Sequence, residues 1–166
     1  MFTLRCTKKL LKRLDVPVHD GEATPLATTR LGDWIANVVF HDKRPLVLAA
    51  SQATLVPVIL PVAPAKTLPL RFPDAVVEML ERVEIPKEQI DAEREAMSVC
   101  MVEPARVADR VSLGSLNDFA VLLDRWLETS LLDAALRLSG TFCGPLEMQR
   151  PIDVTRALFL LAANDG

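Results

Sequence analysis

At 166 residues the chain fits one domain of ordinary size, large enough for a real hydrophobic core. Half of it is hydrophobic and a quarter charged, a globular balance that excludes a disordered chain. A net charge of −3 gives no general attraction to nucleic acid or an anionic membrane, and the absence of tyrosine leaves few base-stacking platforms.

Residues 2–5 alternate apolar and polar, which predicts a short strand. Thr7 caps a helix with Leu10, Leu11 and Leu14 on one face and Lys8, Lys9, Lys12 and Arg13 on the other. The basic start lacks the continuous apolar core of a signal peptide. A transit peptide is the alternative to this strand and helix, which the reading favours. Asp15 and Pro17 close the helix, and residues 19–29 form a loop with an Asp20-Gly21 turn.

The stretch at residues 34–62 is the one the rest must fold around. It is nearly all apolar apart from the break at residues 41–44, and it is rich in Val, Leu, Ile and Ala. Trp34, Ala36, Val38 and Phe40 point one way along a first long strand; Ile35, Asn37 and Val39 point the other. Both sides are mainly apolar, so this strand is interior. Asp42-Lys43-Arg44 turns it into a hairpin with residues 46–50. Residues 55–62 make a third strand, and Pro57 and Pro61 place it on an edge or at a bulge. Residues 45–65 carry no charge and are long enough to span a bilayer, but four prolines would leave carbonyls unpaired in lipid. The reading rejects a transmembrane helix and expects a cytoplasmic protein with no membrane partner.

Residues 64–73 read as a linker. A helix follows to about Val83, with Phe72, Val76, Met79, Leu80 and Val83 inward. Pro86 opens another, whose outer face carries Glu88, Asp91, Glu93, Arg94 and Glu95. Residues 98–102 make one more strand, and residues 103–114 a loop. Ser115 starts the next helix, with Asp118 three residues on as in a capping box. Leu116, Phe119, Ala120, Leu123, Trp126 and Leu127 form its buried stripe. Ser130 with Asp133 starts a helix that ends at Gly140, and a last helix runs over residues 152–163. Met79, Met97 and Met101 read as core fillers.

Strands and helices are largely segregated. The expected fold is α+β: a single domain with a mainly antiparallel or mixed sheet of four to five strands, covered by about six helices.

Cys6, Cys100 and Cys143 are odd in number and far apart, which argues against disulfides and for a reducing compartment. His19 and His41 complete no zinc spacing, so no metal and no cofactor is expected. No phosphate loop or nucleophile elbow is present, and no catalytic residue is assigned.

Three places offer polar groups, each with a bland counterpart. Arg5, Lys8, Lys9, Lys12 and Arg13 form a basic patch suited to phosphates or an acidic partner. The bland reading is a solvated helix face, or pairing with the acidic residues 78–95. Arg30, Asp33 and Asn37 flank or enter the first long strand. A buried amide there needs a partner, in a pocket or at a bulge. Finally, residues 112–118 with Arg106 and Arg110 read as an anion site at a helix start, or as plain capping by Ser115 and Asp118. Cys6 beside Lys8 and Lys9 is a candidate low-pKa thiol, with a packed thiol as the better reading.

The strings TLRCTKKLLKRL, TTRLGDWIAN and VSLGSLNDFA resemble a family of small, mostly bacterial proteins of unknown function. The likeness implies a bacterial, intracellular origin and carries no activity, cofactor or catalytic residue. It also implies that Arg5, Thr7, Lys8, Arg30, Asp33, Asn37, Ser115, Asn117 and Asp118 converge on one surface.

The first functional reading is a non-enzymatic binding module. The basic first helix, with Arg30 and Arg106 or Arg110, holds nucleic acid or an acidic protein. The second is a homo-oligomeric interaction protein, because the positive mean hydropathy leaves more apolar residues than one small core needs. The third is an enzyme on a phosphate-containing substrate, with Arg5, Arg30 and Arg110 stabilising charge and Asp33 or Asp118 as base.

Overall fold

The uncharged run at residues 45–65 folds as strands and turns, as its prolines and β-branched residues predict. The computed structural model describes residues 1–126 and 130–165. Strand β1 (Phe2–Cys6) is followed by β2 (Trp34–His41) and β3 (Arg44–Ser51), with β4 (Pro57–Pro61) returning antiparallel to β3. Asp42 and Lys43 join β2 to β3 with φ of 47° and 64°. Two positive φ values give the tight hairpin turn whose twist matches the strands.

β1 pairs parallel with β2, and β5 (Cys100–Pro104) pairs parallel with β1. The order β4-β3-β2-β1-β5 makes a mixed five-stranded sheet. With six helices among the described residues around it, the architecture is α+β, as expected. β5 starts two residues later than the sequence suggests, because the chain first has to leave the preceding helix at Met97.

β4 is an edge strand, as its prolines predict. Ser51 N–H bonds Val56 O at 3.1 Å and Val62 N–H bonds Pro45 O at 3.2 Å. Even-numbered residues of β4 therefore bond inward, and Pro57 and Pro61 stand where donors would face out. At the other edge, His19 N–H bonds Val102 O at 2.8 Å as the segment before β2 crosses β5.

Alternation along the strands sorts the two faces. Phe2, Leu4, Trp34 and Ala36 share one. There Phe72 of α2 (Leu68–Arg82) stacks on Phe2 at 5.7 Å and meets Trp34 edge-on at 5.1 Å. Thr3, Arg5, Ile35 and Asn37 share the other, covered by α4 (Arg110–Trp126). α1 (Lys8–Leu11) lies beside β2, α3 (Lys87–Ala96) packs on α2, and α5 (Leu131–Ser139) packs on β4. α6 (Pro151–Asn164) is tied to the β3–β4 turn by a 2.9 Å bond between the Thr155 and Thr54 hydroxyls.

Three expectations are corrected. α2 begins at Leu68, inside the expected linker, since Pro69 falls in the first turn, where its missing N–H is no loss. α4 begins at Arg110, after a 3-10 turn over Val107–Asp109, so Ser115 and Asp118 lie within the helix and do not cap it. Glu93 faces inward and is 2% exposed, not on the charged outer face of α3. Of the predicted stripe on α4, Leu116, Phe119 and Leu123 are buried, Ala120 and Trp126 are partly buried, and Leu127 lies outside the described residues.

Candidate functional site

Two places gather the polar residues of the chain, and their chemistry differs. The first is centred on Arg5. Its position on β1 turns the side chain to the α4 face, opposite Ile35 of β2 and Glu103 of β5. The guanidinium reaches Asp33 Oδ2 at 3.1 Å, Asp109 Oδ1 at 3.3 Å and Gln52 Oε1 at 3.2 Å. Each carboxylate is also held by backbone. Thr3 N–H donates to Asp33 Oδ1 at 2.8 Å, and Arg106 N–H donates to Asp109 Oδ2 at 2.6 Å. Gln52 Nε2 adds a 2.9 Å bond to Asp109 Oδ1.

Beside this set Glu103 is buried against the Arg106 guanidinium at 3.0 Å, and it accepts from the Thr24 hydroxyl. Arg106 also holds Gly21 O at 2.9 Å. Gly21 has φ +80°, a conformation that favours glycine, and lies against the Arg106 guanidinium and the Glu103 carboxylate.

In this network two guanidiniums, Arg5 and Arg106, face three carboxylates, Asp33, Asp109 and Glu103, and most of the donors and acceptors meet protein partners, Arg5 Nε being a buried exception. It joins β1, the start of β2, the β3–β4 turn and the start of α4. That is what a buried ion network does when it fixes register.

The remaining sequence candidates scatter. Asn37 Oδ1 accepts from the Thr7 hydroxyl at 2.6 Å, which resolves the amide as a strand-to-helix tie. Arg30 is exposed; its N–H and that of Leu31 donate to Glu93 at 2.9 and 3.0 Å. Arg110, Asn117 and Asp118 are exposed, and Ser115 is buried. Asp118 stands about 12 Å of helix rise beyond Arg110. Mid-helix N–H groups are already bonded, so residues 112–118 form no anion cradle. Of the residues the resemblance singled out, Arg5 contacts Asp33 and Thr7 contacts Asn37, while Lys8, Arg30, Asn117 and Asp118 are exposed and Ser115 is buried.

The second place is the end of the sheet where α1 meets the β2–β3 turn. Thr7 N–H bonds Ala36 O at 3.0 Å, and the Thr7 hydroxyl accepts from Leu10 N–H at 3.4 Å as it donates to Asn37. These bonds launch α1 alongside the second half of β2. Leu10 is buried beneath, so Lys8, Lys9, Lys12 and Arg13 are left on the solvent side. Phe40 of β2 is 52% exposed among them, with the Arg13 guanidinium 4.7 Å from its ring centroid. Lys9, Lys12, Arg13, Val38 and Phe40 line a shallow depression of about 460 Å³. Lys43 and Arg44 in the adjoining turn and Lys66 nearby add charge. The acids here are Asp15, which pairs with Lys66 at 3.5 Å, Asp42 in the turn, and Asp124 of α4, which shares a neighbouring hollow with Phe40; three acids face seven cations, so positive charge is in excess.

Sequence reasoning found the basic face of α1 and missed Phe40. The missing signal was geometric: Phe40 belongs to a strand read as interior, and only the placement of α1 shows that the strand's last residues emerge from cover.

The thiols offer no nucleophile. Burial pushes the Cys6 thiol far up, with Cys100 nearby adding to it, and pushes Cys100 up to about 12. Cys143 is raised by burial and by the charge of Asp118. All three stay protonated at neutral pH, so the packed-thiol reading of Cys6 is the right one. Among the described residues no group of His, Cys, Asp and Glu is placed to hold a metal ion. None of the described helices is long and apolar enough to cross a membrane.

A family model matches residues 3–154, that of a domain of unknown function, DUF6933, and the chain belongs to that family. No curated protein matches the chain, and no solved structure does.

Proposed function

We propose that this DUF6933 protein is a non-enzymatic binding module that takes a polyanionic partner at the end of the sheet where α1 meets the β2–β3 turn. One observation carries the reading. In a chain of net charge −3, Lys8, Lys9, Lys12 and Arg13 are all exposed in and just after α1, and none of them forms a salt bridge among the described residues. Long cationic side chains free of internal pairing are what a row of phosphates or carboxylates selects. Arg5, Arg30, Arg106 and Arg110 drop out of the binding set. Arg5 and Arg106 are held by internal carboxylates, and Arg30 and Arg110 lie on other elements. An enzyme on a phosphate-containing substrate would need the Arg5 guanidinium free; it is held by two carboxylates instead.

The test is a salt titration of fluorescence anisotropy with labelled RNA, DNA and polyglutamate. Binding is expected at low salt, falling steeply as salt rises, and Lys9→Glu with Lys12→Glu should abolish it. Absence of binding to every polyanion at low salt, or affinity indifferent to salt, would overturn the reading.

Self-association is a second reading. Val107 and Val111 at the start of α4 are 75% and 63% exposed, and Phe142 and Met148 near its side are 65% and 62% exposed. Light scattering tests it: a monomer at high concentration removes it.

A further inference from the structure

The structure assigns an occupant to the α1–hairpin depression: a single-stranded nucleic acid, with one base stacked on the Arg13–Phe40 pair and the flanking phosphates on Lys9 and Lys12. The inference rests on the binding reading above and narrows it to one class of partner.

The argument begins with Phe40. A half-exposed phenylalanine on the solvated end of a strand has an apolar ring without a full partner. The Arg13 guanidinium lies over it at 4.7 Å, so a flat cation is backed by a flat ring. A guanidinium plane and an aromatic face are the two surfaces on which unpaired bases stack. The depression beside the pair, about 460 Å³, is within the range of small-molecule sites and open on one side. Lys9 and Lys12 form its rim, one helical turn apart on the same face of α1 and its C-terminal extension.

The combination discriminates among polyanions. Heparin and polyglutamate carry charge but no π face, so they would use the lysines and leave Phe40 idle. Duplex nucleic acid keeps its base faces stacked inside and offers this site mainly phosphates. A single strand alone uses both parts of the site.

The experiment compares single-stranded RNA and DNA of mixed sequence with the matching duplex, heparin and polyglutamate. It uses the full chain and Phe40→Ala, Phe40→Trp and Arg13→Lys. Because Phe40 is half-exposed, these variants are expected to fold; circular dichroism and thermal unfolding check this. Single strands should bind at least about 10-fold more tightly than duplex at equal salt, and Phe40→Ala should weaken single-strand binding about 5- to 100-fold. The salt slope should stay unchanged in that variant. Phe40→Trp should retain or tighten binding, and Arg13→Lys should weaken it at constant charge. Equal affinity for single strands, heparin and polyglutamate, with no effect of Phe40→Ala, overturns the inference and leaves the polyanion reading standing. Preference for polyglutamate over nucleic acid overturns it in favour of an acidic protein. Failure of every polyanion to bind defeats both.

Discussion

Glu93 offers the sharpest test of how this fold is held. Its carboxylate is 2% exposed and accepts from Arg30 N–H at 2.9 Å and Leu31 N–H at 3.0 Å, fastening the segment before β2 to α3. Leu31 is itself fully buried, so its N–H has no access to water once the carboxylate is gone. A hydrogen bond to a charged group is worth about 1.5–3 kcal/mol, and two such bonds would suggest roughly 3–6 kcal/mol. Arg30 lies at the surface and its N–H rehydrates in part, which brings Glu93→Ala to about 3–5 kcal/mol. Against a typical total of about 5–15 kcal/mol this is a large fraction of the stability. For a chain of this size it lowers Tm by about 6–20 °C. Glu93→Gln keeps the volume and one acceptor but turns an amide donor against an N–H, costing about 2–3 kcal/mol. Urea unfolding followed by the fluorescence of buried Trp34 gives the energies. Hydrogen exchange at the Arg30 and Leu31 amides shows whether the loss is local. If both variants stay within about 0.5 kcal/mol of the parent at unchanged m-value, the carboxylate is not the fastening described.

Other substitutions probe the remaining features. Arg5→Ala strands Asp33 and Asp109 in a nearly closed site and should cost about 3–5 kcal/mol in urea unfolding. A loss under about 1 kcal/mol would mean the network is not a register-fixing device. Gly114 lies on an exposed turn of α4, where an added Cβ would meet nothing within 4 Å, so Gly114→Ala should stabilise by about 0.5–1 kcal/mol. Destabilisation would contradict a helix that starts at Arg110. The Arg82 guanidinium at 2.7 Å, with Ser130, holds the Asp133 carboxyl below its usual range. A lowered folded pKa gives stability that is present above the unfolded value of about 3.9 and lost as pH falls below it. Asp133→Asn should therefore lose that increment at neutral pH, match the parent at low pH where the carboxyl is protonated, and flatten the slope between. A parallel acid slope in both proteins would refute this.

Much of the fold was legible because local chemistry agreed with the tertiary answer. Pro57 and Pro61 mark β4 as an edge by the donors they lack, and Thr7 and Ser130 cap the helices they precede. The alternation through residues 34–40 reads as a strand and is one. What failed was information that is not local. β1 is short and ordinary in sequence, and nothing within it says that it will insert between β2 and β5 in parallel. The Gly114-Ser115 pair imitates a helix start. Yet Asp109, bonded to Arg106 N–H and Arg5, draws the start back to Arg110. Glu93 has the composition of a surface residue, and only the approach of Arg30 and Leu31 explains its burial. At the candidate site the lysines were visible as a charged helix face. The aromatic partner was not, because its exposure depends on where α1 comes to rest.

The two rims of the sheet have a consequence for how any partner can be engaged. One rim offers little but the amide of Ile59 between two ring-closed nitrogens, and the other is overlaid by the chain's own crossing near His19. A neighbour seeking to extend the sheet finds too few amides to continue the ladder. Native edge-to-edge pairing is thereby disfavoured as a route to assembly. Recognition is left to side chains, where charge and shape can discriminate between partners as a bare backbone cannot.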